Sequence, residues 1–427
     1  MIAAIYWFRQ DLRLHDNPAL LNAIAKADTL LPVCTALDER PSHWLSQRVG
    51  PHRRAFAEQA RTGLRESLRA KGSNLLTLPG DAVSALVDTA RHYNIQQVFC
   101  EDIAAPEEQA EVASLRAHGL TVVTHWQSSL LMPEQLPFRP EALPGVFSQF
   151  RNQLERAACL PDQPLPAPEQ LPPCPLLPCA LVPEQAAEIS PVIEPRSSFP
   201  YHQPAFSGAE SAALAHVQHY FQSDLPQSYK LTRNGLMGSD YSTKFSPWLA
   251  VGALSPRQIH AALKAHEQAQ GANDSTYWIW FELLWRDYFR FLHLQHGKRL
   301  YTATGLSSGA PSRAHNVGGF KRWCAGNTGE PLVDAAMHEL AASGYLSNRL
   351  RQLVASYLIH DLGGDYRAGA AWFEAQLLDY DVYSNQGNWL YIAGRGTDPR
   401  GGRRFNPEKQ TREHDPDGEY RHVWSHS

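Results

Sequence analysis

Short apolar runs alternate with helical patterns over residues 1–130, and this alternation constrains the fold more than any other feature. The runs cover residues 2–8, 29–37, 74–78, 96–101 and 120–126. Between them lie segments with helical periodicity, of which 53–72 and 106–119 are the clearest. Strand–helix alternation is typical of a parallel sheet covered on both faces, so residues 1–130 are predicted to form a Rossmann-like α/β domain. No GxGxxG loop follows the first run, which argues against a dinucleotide site of that type.

The rest of the chain divides into a proline-rich connector and a helical domain. Proline occurs thirteen times between Pro161 and Pro204, which excludes a regular helix or a central strand there. Residues 131–205 are therefore predicted to be a long connector, wrapped on the surface or partly mobile. From residue 206 to residue 427 the pattern is helical without strand alternation, which predicts an all-α domain.

Composition describes a soluble protein without an overall affinity for polyanions. Of the 427 residues, 43% are hydrophobic and 19% are charged, and the net charge is −4, so any basic surface must be local. No run reaches the roughly 18 apolar residues of a membrane helix, and no signal-peptide pattern follows the apolar N-terminus. The protein is expected to be cytoplasmic and monomeric. The six scattered cysteines lack zinc-ligand spacing and are interpreted as reduced thiols, without a structural metal.

Segment 273–292 combines eight aromatic residues with Glu282, Arg286 and Asp287 in its middle. Aromatic residues at this density are typical of a buried helix, and charges inside such a helix are costly unless a partner satisfies them. Glu282 and Arg286 are four residues apart in the favourable order, so they could pair with each other. The alternative is that this helix lines a site for a large flat ligand.

Segment 239–260 has the pattern of two capped helix starts. Ser246–Pro247 and Ser255–Pro256 each fit an N-cap followed by the first helical residue. Hydroxyls, backbone N–H groups and a cation precede the first start, at Ser242, Thr243, Lys244 and Ser246. This combination favours an anion such as phosphate, and the alternative is an ordinary capped helix with a polar lead-in.

A second helical cluster, residues 346–362, carries arginine inside an apolar pattern. Asn348, Arg351 and Ala355 fall on one face, with Arg349 and Gln352 turned differently. A buried arginine needs a carboxylate or a ligand.

A third cluster lies between residues 377 and 412. Asp379 and Asp381 could cap a helix, bind a metal or pair with Arg351, and caps and pairs are the commoner uses. From Arg395 to Arg412 there are six basic and two acidic residues interleaved with glycine. This is either a solvated loop or a phosphate-backbone contact. Together, the aromatic residues of segment 273–292, the phosphate-like cap of segment 239–260 and the basic rim from Arg395 to Arg412 suggest a flat, phosphate-bearing cofactor beside a nucleic-acid surface.

The same residues resemble the photolyase/cryptochrome family, and more narrowly its cryptochrome-DASH branch. The similarity spans nearly the whole chain, in blocks at residues 6–20, 229–257, 273–292, 348–353, 377–389, 396–406 and 415–420. The branch assignment depends on three of the motifs, namely NGL followed by GSDYSTKFSPW, NDSTYW, and DYDVYSN. The resemblance implies an α/β domain, a connector and a helical FAD-binding domain, in agreement with the pattern.

FAD is the cofactor that the resemblance implies. The residues expected to hold it are Tyr229, Ser242, Thr243, Lys244, Phe245, Ser246, Glu282, Arg286, Asn348, Arg351, Asp379, Asp381 and Asn385. In this arrangement Arg351 pairs with Asp379, and Asn385 lies opposite the flavin N5.

The implied activity is light-driven repair of cyclobutane pyrimidine dimers in DNA. Excited reduced flavin gives one electron to the dimer, the dimer splits, and the electron returns. Glu282, Trp285 and Asn385 are the implied catalytic residues. The main rival is a blue-light photoreceptor with little repair activity. Repair of (6-4) photoproducts is a second rival, but it needs acid–base histidines, and the candidate His360 lies in a core-like helical pattern.

The implied DNA site has Trp285 and Tyr391 flanking a flipped dimer. The remaining contacts would come from Arg233, Arg349, Gln352, Arg395 and Arg403. Tyr391 stands where conventional repair enzymes usually have Trp, and Gln352 stands where they usually have Met. A smaller ring and a polar neighbour should stabilise an extruded dimer less well, which predicts repair mainly in single-stranded DNA.

Two further features depart from the family pattern or match it only in part. Of the usual three-tryptophan relay for photoreduction, Trp389 is present, whereas Tyr366 and Arg313 stand at the other positions and Gln386 replaces a Trp frequent in the branch. Trp372 and Tyr391 are candidate substitutes as electron donors. Glu108 matches a carboxylate that contacts a 5,10-methenyltetrahydrofolate antenna, but its place in a Glu–Glu pair on a helix favours a solvated surface charge.

Overall fold

The computed structural model describes residues 2–175, 189–310 and 315–425. Cys179 and Arg313, both considered above, lie outside these ranges. Within the described ranges no helix is both long and apolar enough to cross a membrane.

A sheet of five parallel strands forms the N-terminal domain. The strands are β1 (Ala3–Phe8), β2 (Thr29–Thr35), β3 (Leu76–Leu78), β4 (Gln97–Glu101) and β5 (Thr121–His125). Their order across the sheet is β3-β2-β1-β4-β5, with Tyr6 of the central β1 opposite Pro32 and Phe99. Nearly all of β1 is buried, as expected for a parallel sheet covered on both faces. The predicted α/β domain is confirmed.

Four helices cover this sheet in two pairs. They are α1 (Pro18–Lys26), α2 (Pro51–Ala70), α3 (Ala82–His92) and α4 (Pro106–Ala117). Helices α1 and α2 pack with Tyr6 and Phe8, whereas α3 and α4 pack with Ile5 and Trp7. Successive residues of a strand point to opposite faces, so the alternation within β1 sorts the helices between the two faces.

The connector contains a helix that the proline-rich pattern does not indicate, α5 (Phe147–Arg156). Its buried residues recur at helical spacing and are Phe147, Phe150 and Leu154. The described residues of the proline-rich part, 161–175 and 189–203, form neither helix nor strand, as predicted. Short 3-10 turns lie at Pro133–Gln135, Pro140–Ala142 and Pro204–Phe206.

Residues 206–310 and 315–425 are helical, without a strand in either range, which confirms the predicted all-α domain. The helices are α6 (Glu210–Gln222), α7 (Leu225–Thr232), α8 (Ser246–Val251), α9 (Pro256–Gln270), α10 (Asp274–His296), α11 (Val317–Cys324), α12 (Pro331–Ser343), α13 (Asn348–His360), α14 (Tyr366–Gln376), α15 (Val382–Ile392), α16 (Pro407–His414) and α17 (Glu419–Trp424), with a 3-10 turn at Gly297–Tyr301. The aromatic segment is the 23-residue α10, which begins at an Asn273 cap and packs against α5, α7, α9 and α15.

Buried charges join the two domains. Asp16 forms an ion pair with Arg257 at 2.6 Å and accepts a hydrogen bond from Ser255, the N-cap of α9. Asp287 of α10 accepts hydrogen bonds from the backbone N–H groups of Leu130 and Leu131 at 2.9 and 2.8 Å. Charges that leave water must be paired in this way, so the arrangement fixes how the helical domain sits on the sheet.

Replacing Asp16 by Asn tests the contribution of the Asp16–Arg257 ion pair to the contact between the two domains. The substitution leaves the Arg257 charge buried without its carboxylate, and removing one partner of a buried pair costs about 3–5 kcal/mol. We expect a clearly lower urea midpoint for Asp16→Asn in equilibrium unfolding followed by circular dichroism. The control is Asp88→Asn, whose side chain is 77% exposed, and equal midpoints for the two variants would contradict the role of Asp16.

Candidate active site

A small polar cavity of about 100 Å³ lies between α13 and α15. Its walls include Asn348, Arg351, Gln352, Ala355, Asp379, Asp381, Asn385 and Trp389. Tyr380 and Asn385 line both this cavity and a cleft of about 1420 Å³ between the domains, so the two spaces adjoin. The structure therefore brings together residues from two separate sequence clusters, 346–362 and 377–412.

Asp379 is the centre of the polar wall. Arg351 donates to its carboxylate at 2.8 Å, as predicted, and the Ser246 hydroxyl donates to the same oxygen at 2.7 Å. The other oxygen, Oδ1, is buried without a hydrogen-bond partner. The predicted N-cap at Ser246 was wrong by one residue: the cap position is Phe245, and the Ser246 hydroxyl is used by Asp379 instead of by the backbone of α8.

Asp381 caps α15 and faces a cation. Its Oδ1 accepts from the Ser384 N–H at 2.7 Å, and Arg286 lies 3.7 Å from its Oδ2. Burial opposes ionisation of this carboxyl, but Arg286 and Arg290 outweigh burial and hold the pKa of Asp381 below its ordinary value. Its Oδ2 is also buried without a hydrogen-bond partner. No cluster of three or more His, Cys, Asp or Glu side chains that could hold a metal ion occurs in the described ranges.

The charges inside α10 do not pair with each other, so the local pairing of Glu282 with Arg286 is wrong. Glu282 pairs with Arg233, just after α7, at 2.8 Å. Arg286 donates to the backbone oxygen of Ser128 in the other domain. Burial raises the pKa of Glu282, and Arg233 opposes that rise. Tyr229 is buried beside the Glu282–Arg233 pair, and burial raises the pKa of its phenol.

Within residues 242–246, Ser246 contacts the wall of the cavity through its hydrogen bond to Asp379, whereas the Lys244 side chain packs elsewhere. The Lys244 ammonium lies 3.3 Å from the centre of the Tyr241 ring and is buried without a hydrogen-bond partner. Burial lowers the pKa of Lys244 far below its ordinary value. Contacts of an anion with Lys244, Ser242, Thr243 and the backbone stay predictions. The Phe245 ring packs in the core of the domain.

On α13, the predicted face with Asn348, Arg351 and Ala355 lines the cavity. Arg349 is turned away from the cavity and donates to Asn234 at 2.9 Å. Gln352 also lines the cavity, although it follows Arg351 directly and is turned differently on the helix. Asn385 donates to the backbone oxygen of Ala370 at 3.0 Å, which fixes its amide at the junction of cavity and cleft.

Two aromatic rings, predicted as platforms for a flat substrate, meet where α10 packs against α15. Trp285 and Tyr391 have ring centres 5.6 Å apart and planes at 80°. Phe147 of the connector stacks on Trp285 at 3.8 Å and 12°. The Tyr391 hydroxyl accepts a hydrogen bond from Arg403. Sequence reasoning missed Phe147, although its helical spacing with Phe150 could have drawn attention to α5.

The two relay residues in the described part of the chain, Trp389 and Tyr366, are both buried. The Trp389 ring packs edge-on against Phe373 at 5.1 Å and Trp323 at 6.2 Å. The Tyr366 hydroxyl donates to the backbone oxygen of Thr302 at 2.6 Å, and burial raises its pKa to about 12. The roles of Trp389 and Tyr366 in electron transfer stay predictions.

Glu108 faces the interdomain cleft, so the expectation of a solvated surface charge was wrong. Its side chain is half-buried in the cleft wall together with Arg9 and Trp7. Burial raises the pKa of Glu108, and Arg9 opposes the rise. Arg9 lies 4.4 Å above the Trp7 ring and pairs with Glu111 at 2.6 Å, while its Nη1 is buried without a hydrogen-bond partner.

Two protein-family models and several known proteins are similar to this chain. The model of the DNA photolyase domain matches residues 4–169, and that of the FAD binding domain of DNA photolyase matches residues 278–426. A cryptochrome DASH of Vibrio parahaemolyticus is 44% identical, over 98% of this chain and 92% of the relative. The solved cryptochrome of Synechocystis has a TM-score of 0.91 and 40% identity, over 99% of this chain and 88% of that one.

A bacterial class III photolyase from Agrobacterium tumefaciens is a more distant structural neighbour, with a TM-score of 0.79 and 27% identity. It covers 99% of this chain and 86% of the photolyase chain. Similarity of this extent to the Vibrio and Synechocystis proteins, together with the two domain models, shows the family. The chain belongs to the photolyase/cryptochrome family, in its cryptochrome-DASH branch.

Proposed function

We propose that this protein uses FAD and blue light to repair cyclobutane pyrimidine dimers, mainly in single-stranded DNA. The observation that carries the proposal is the Trp285–Tyr391 pair, two rings at 80° on the helices α10 and α15, which also carry residues of the Arg351–Asp379 site. Tyr391 precedes the cavity residue Ile392, and Trp285 precedes Arg286, which reaches Asp381. A flat substrate held by these rings would therefore lie next to whatever the cavity binds.

The polar groups in the wall of the cavity suit part of FAD, and the rest of the cofactor would extend into the adjoining cleft. The unpartnered oxygens of Asp379 and Asp381 require donors, and the ring N–H and ribose hydroxyls of FAD are such donors. Bound FAD would supply light absorption and the electron for repair. Asn385 suits reduced flavin because an amide cannot donate a proton as an acid. Arg351 keeps Asp379 oriented, and Arg286 with Arg290 keeps Asp381 ionised.

Arg351→Gln should release FAD. The substitution removes the cation that orients the buried Asp379 carboxylate, so a charged hydrogen bond to FAD is weakened and we expect at least about tenfold lower affinity. The measurement is flavin absorbance relative to protein absorbance after gel filtration, followed by titration with FAD. Arg322→Gln, on the exposed side of α11, is the control. Flavin retention by Arg351→Gln equal to that of the control would contradict the assignment.

The proposed preference for single-stranded DNA depends on how well the platform ring of Tyr391 and the nearby wall hold an extruded dimer. A dimer must leave the base stack before it can enter the site, which costs a few kcal/mol in duplex DNA and far less in a single strand. Tyr391 gives a smaller stacking surface than an indole, and Gln352 places a polar group in the wall. Glu282 would accept a hydrogen bond from the lesion, and its partner in the free protein is Arg233 at 2.8 Å.

Repair assays on matched oligonucleotides test this proposal. Chemically pre-reduced protein is given blue light with one dimer-containing sequence, either single-stranded or in a duplex, and a dark sample is the control. We expect repair of the single strand to be at least about tenfold faster, because the duplex must first release the lesion. Equal rates would contradict the strand preference. Absence of repair on both substrates, with reduced FAD bound, would instead favour the blue-light photoreceptor.

For the interdomain cleft we propose a 5,10-methenyltetrahydrofolate antenna. The cleft is large enough for a folate, and it combines the Trp7 ring with the half-buried Glu108 and with Arg9, whose Nη1 has no partner. A carboxylate in such a wall can accept hydrogen bonds from the amino-substituted pterin ring of a folate.

Glu108→Gln should weaken folate binding about tenfold, since it removes a charged acceptor. The measurement is a fluorescence titration of the FAD-loaded protein with methenyltetrahydrofolate. Glu66→Gln is the control, because this carboxylate on α2 is exposed and is not among the residues that line the cleft. Equal losses in the two variants would exclude a specific role of Glu108.

A further inference from the structure

The ring of Tyr391 is held through its hydroxyl by Arg403, an arginine that the sequence pattern associated only with DNA phosphates. We propose that Arg403, oriented by Asp398, is the positioning residue for Tyr391, and that this hydrogen bond sets how firmly the site holds an extruded dimer. The inference rests on the proposed function and goes beyond it, since it assigns a role to the hydroxyl as well as to the size of the ring.

Asp398 organises the loop that follows α15. Its carboxylate has no exposed surface and accepts hydrogen bonds from the Arg400 and Gly402 N–H groups, both at 3.2 Å. It also lies 3.1 Å from Nε of Arg403. The φ of Gly402 is +119°, a conformation that residues with a Cβ rarely adopt. The Arg403 N–H then donates to the Ile392 oxygen at 3.0 Å, which fixes the loop on the end of α15.

The guanidinium of Arg403 serves two partners at once. One side faces Asp398, while Nη2 donates to the Tyr391 hydroxyl and the guanidinium carbon lies 5.1 Å from the ring centre. A planar fork with five N–H donors can make both contacts in one orientation. An indole at position 391 could not accept this bond, because its only polar group is a donor.

The two platform rings are therefore fixed by different means. Phe147 stacks on one face of Trp285, so packing alone fixes that ring. Tyr391 meets Trp285 edge to face and is fixed by a charged donor at its hydroxyl. The Arg403 side chain remains 27% exposed, so its free N–H groups and its charge are available to a phosphate beside the lesion. Its contribution to ring position and its contribution to phosphate binding should be separable by substitution.

A double-mutant cycle separates the two contributions. The variants are Tyr391→Phe, Arg403→Gln and the double mutant, and the measurement is the dissociation constant for a single-stranded oligonucleotide with one thymine dimer. Binding is measured in the dark over a range of salt concentrations, with the undamaged oligonucleotide in parallel. Tyr391→Phe keeps the ring and loses only the bond, so we expect about tenfold weaker lesion binding with an unchanged salt dependence.

Arg403→Gln should weaken lesion binding further and reduce the salt slope by about 1, because it also removes a phosphate contact. The double mutant should bind within about twofold of Arg403→Gln, since the hydroxyl has no donor left to lose. Arg403→Lys should behave like Tyr391→Phe, because an ammonium keeps the charge but lacks the fork. Arg421→Gln is the matched control: Arg421 is 31% exposed and pairs with a buried carboxylate, Asp415, outside the site.

If the losses from Tyr391→Phe and Arg403→Gln multiply in the double mutant, Arg403 does not act through Tyr391 and the inference is overturned while the proposed function stands. If the wild type binds damaged and undamaged strands equally, both fail. Flavin content and thermal melting show whether each variant is folded. Should Arg403→Gln fail to fold, a cycle with Arg403→Lys replaces it, and independent losses there would overturn the inference equally.

Discussion

Two arginines of α10, Arg286 and Arg290, carry positive charge into the centre of the protein, and the rest of the structure is arranged around them. Arg290 is almost completely buried and reaches Glu101 at the end of β4, 3.2 Å away. Arg286 donates to the Ser128 backbone oxygen and faces Asp381. Removing these charges from water is costly, so each requires partners from outside its own helix. The requirement ties the sheet domain to the pocket carboxylate through one helix.

The need of buried charges for partners from distant parts of the chain explains why the architecture could be predicted from the sequence and parts of the site could not. Strand–helix alternation and the proline-rich shift are local signals, and the structure follows them closely. The N-cap at Ser255 is equally local and is present with its capping box. At Ser246 the same motif fails by one residue, because its hydroxyl bonds to Asp379, 133 residues away in the chain. A long-range acceptor overrides the local preference there.

The charged residues also show that local sequence rules do not predict partners from distant parts of the chain. Glu282 and Arg286 satisfy the rule for neighbours on a helix, but α7 supplies Arg233 and α15 supplies Asp381, and burial makes those contacts the stronger ones. Glu108 is misjudged for a related reason, since the interdomain cleft that it faces is also lined by residues of α14. Whether a side chain enters the core or faces a cleft depends on elements hundreds of residues distant. The Arg351–Asp379 pair came from the family resemblance, since the pattern alone left several partners open.

The connector is part of the site rather than a passive link. Its helix α5 places Phe147 against Trp285 with nearly parallel rings, and Tyr288 of α10 donates to the Pro144 oxygen just before that helix. One platform ring is thus supported from the connector by packing, and the other from the loop after α15 by a charged hydrogen bond. Packing is insensitive to what else binds nearby, whereas a charged donor also responds to phosphate. Under the proposed function, the Tyr391 side is therefore the one at which a DNA phosphate would change how firmly a lesion is held.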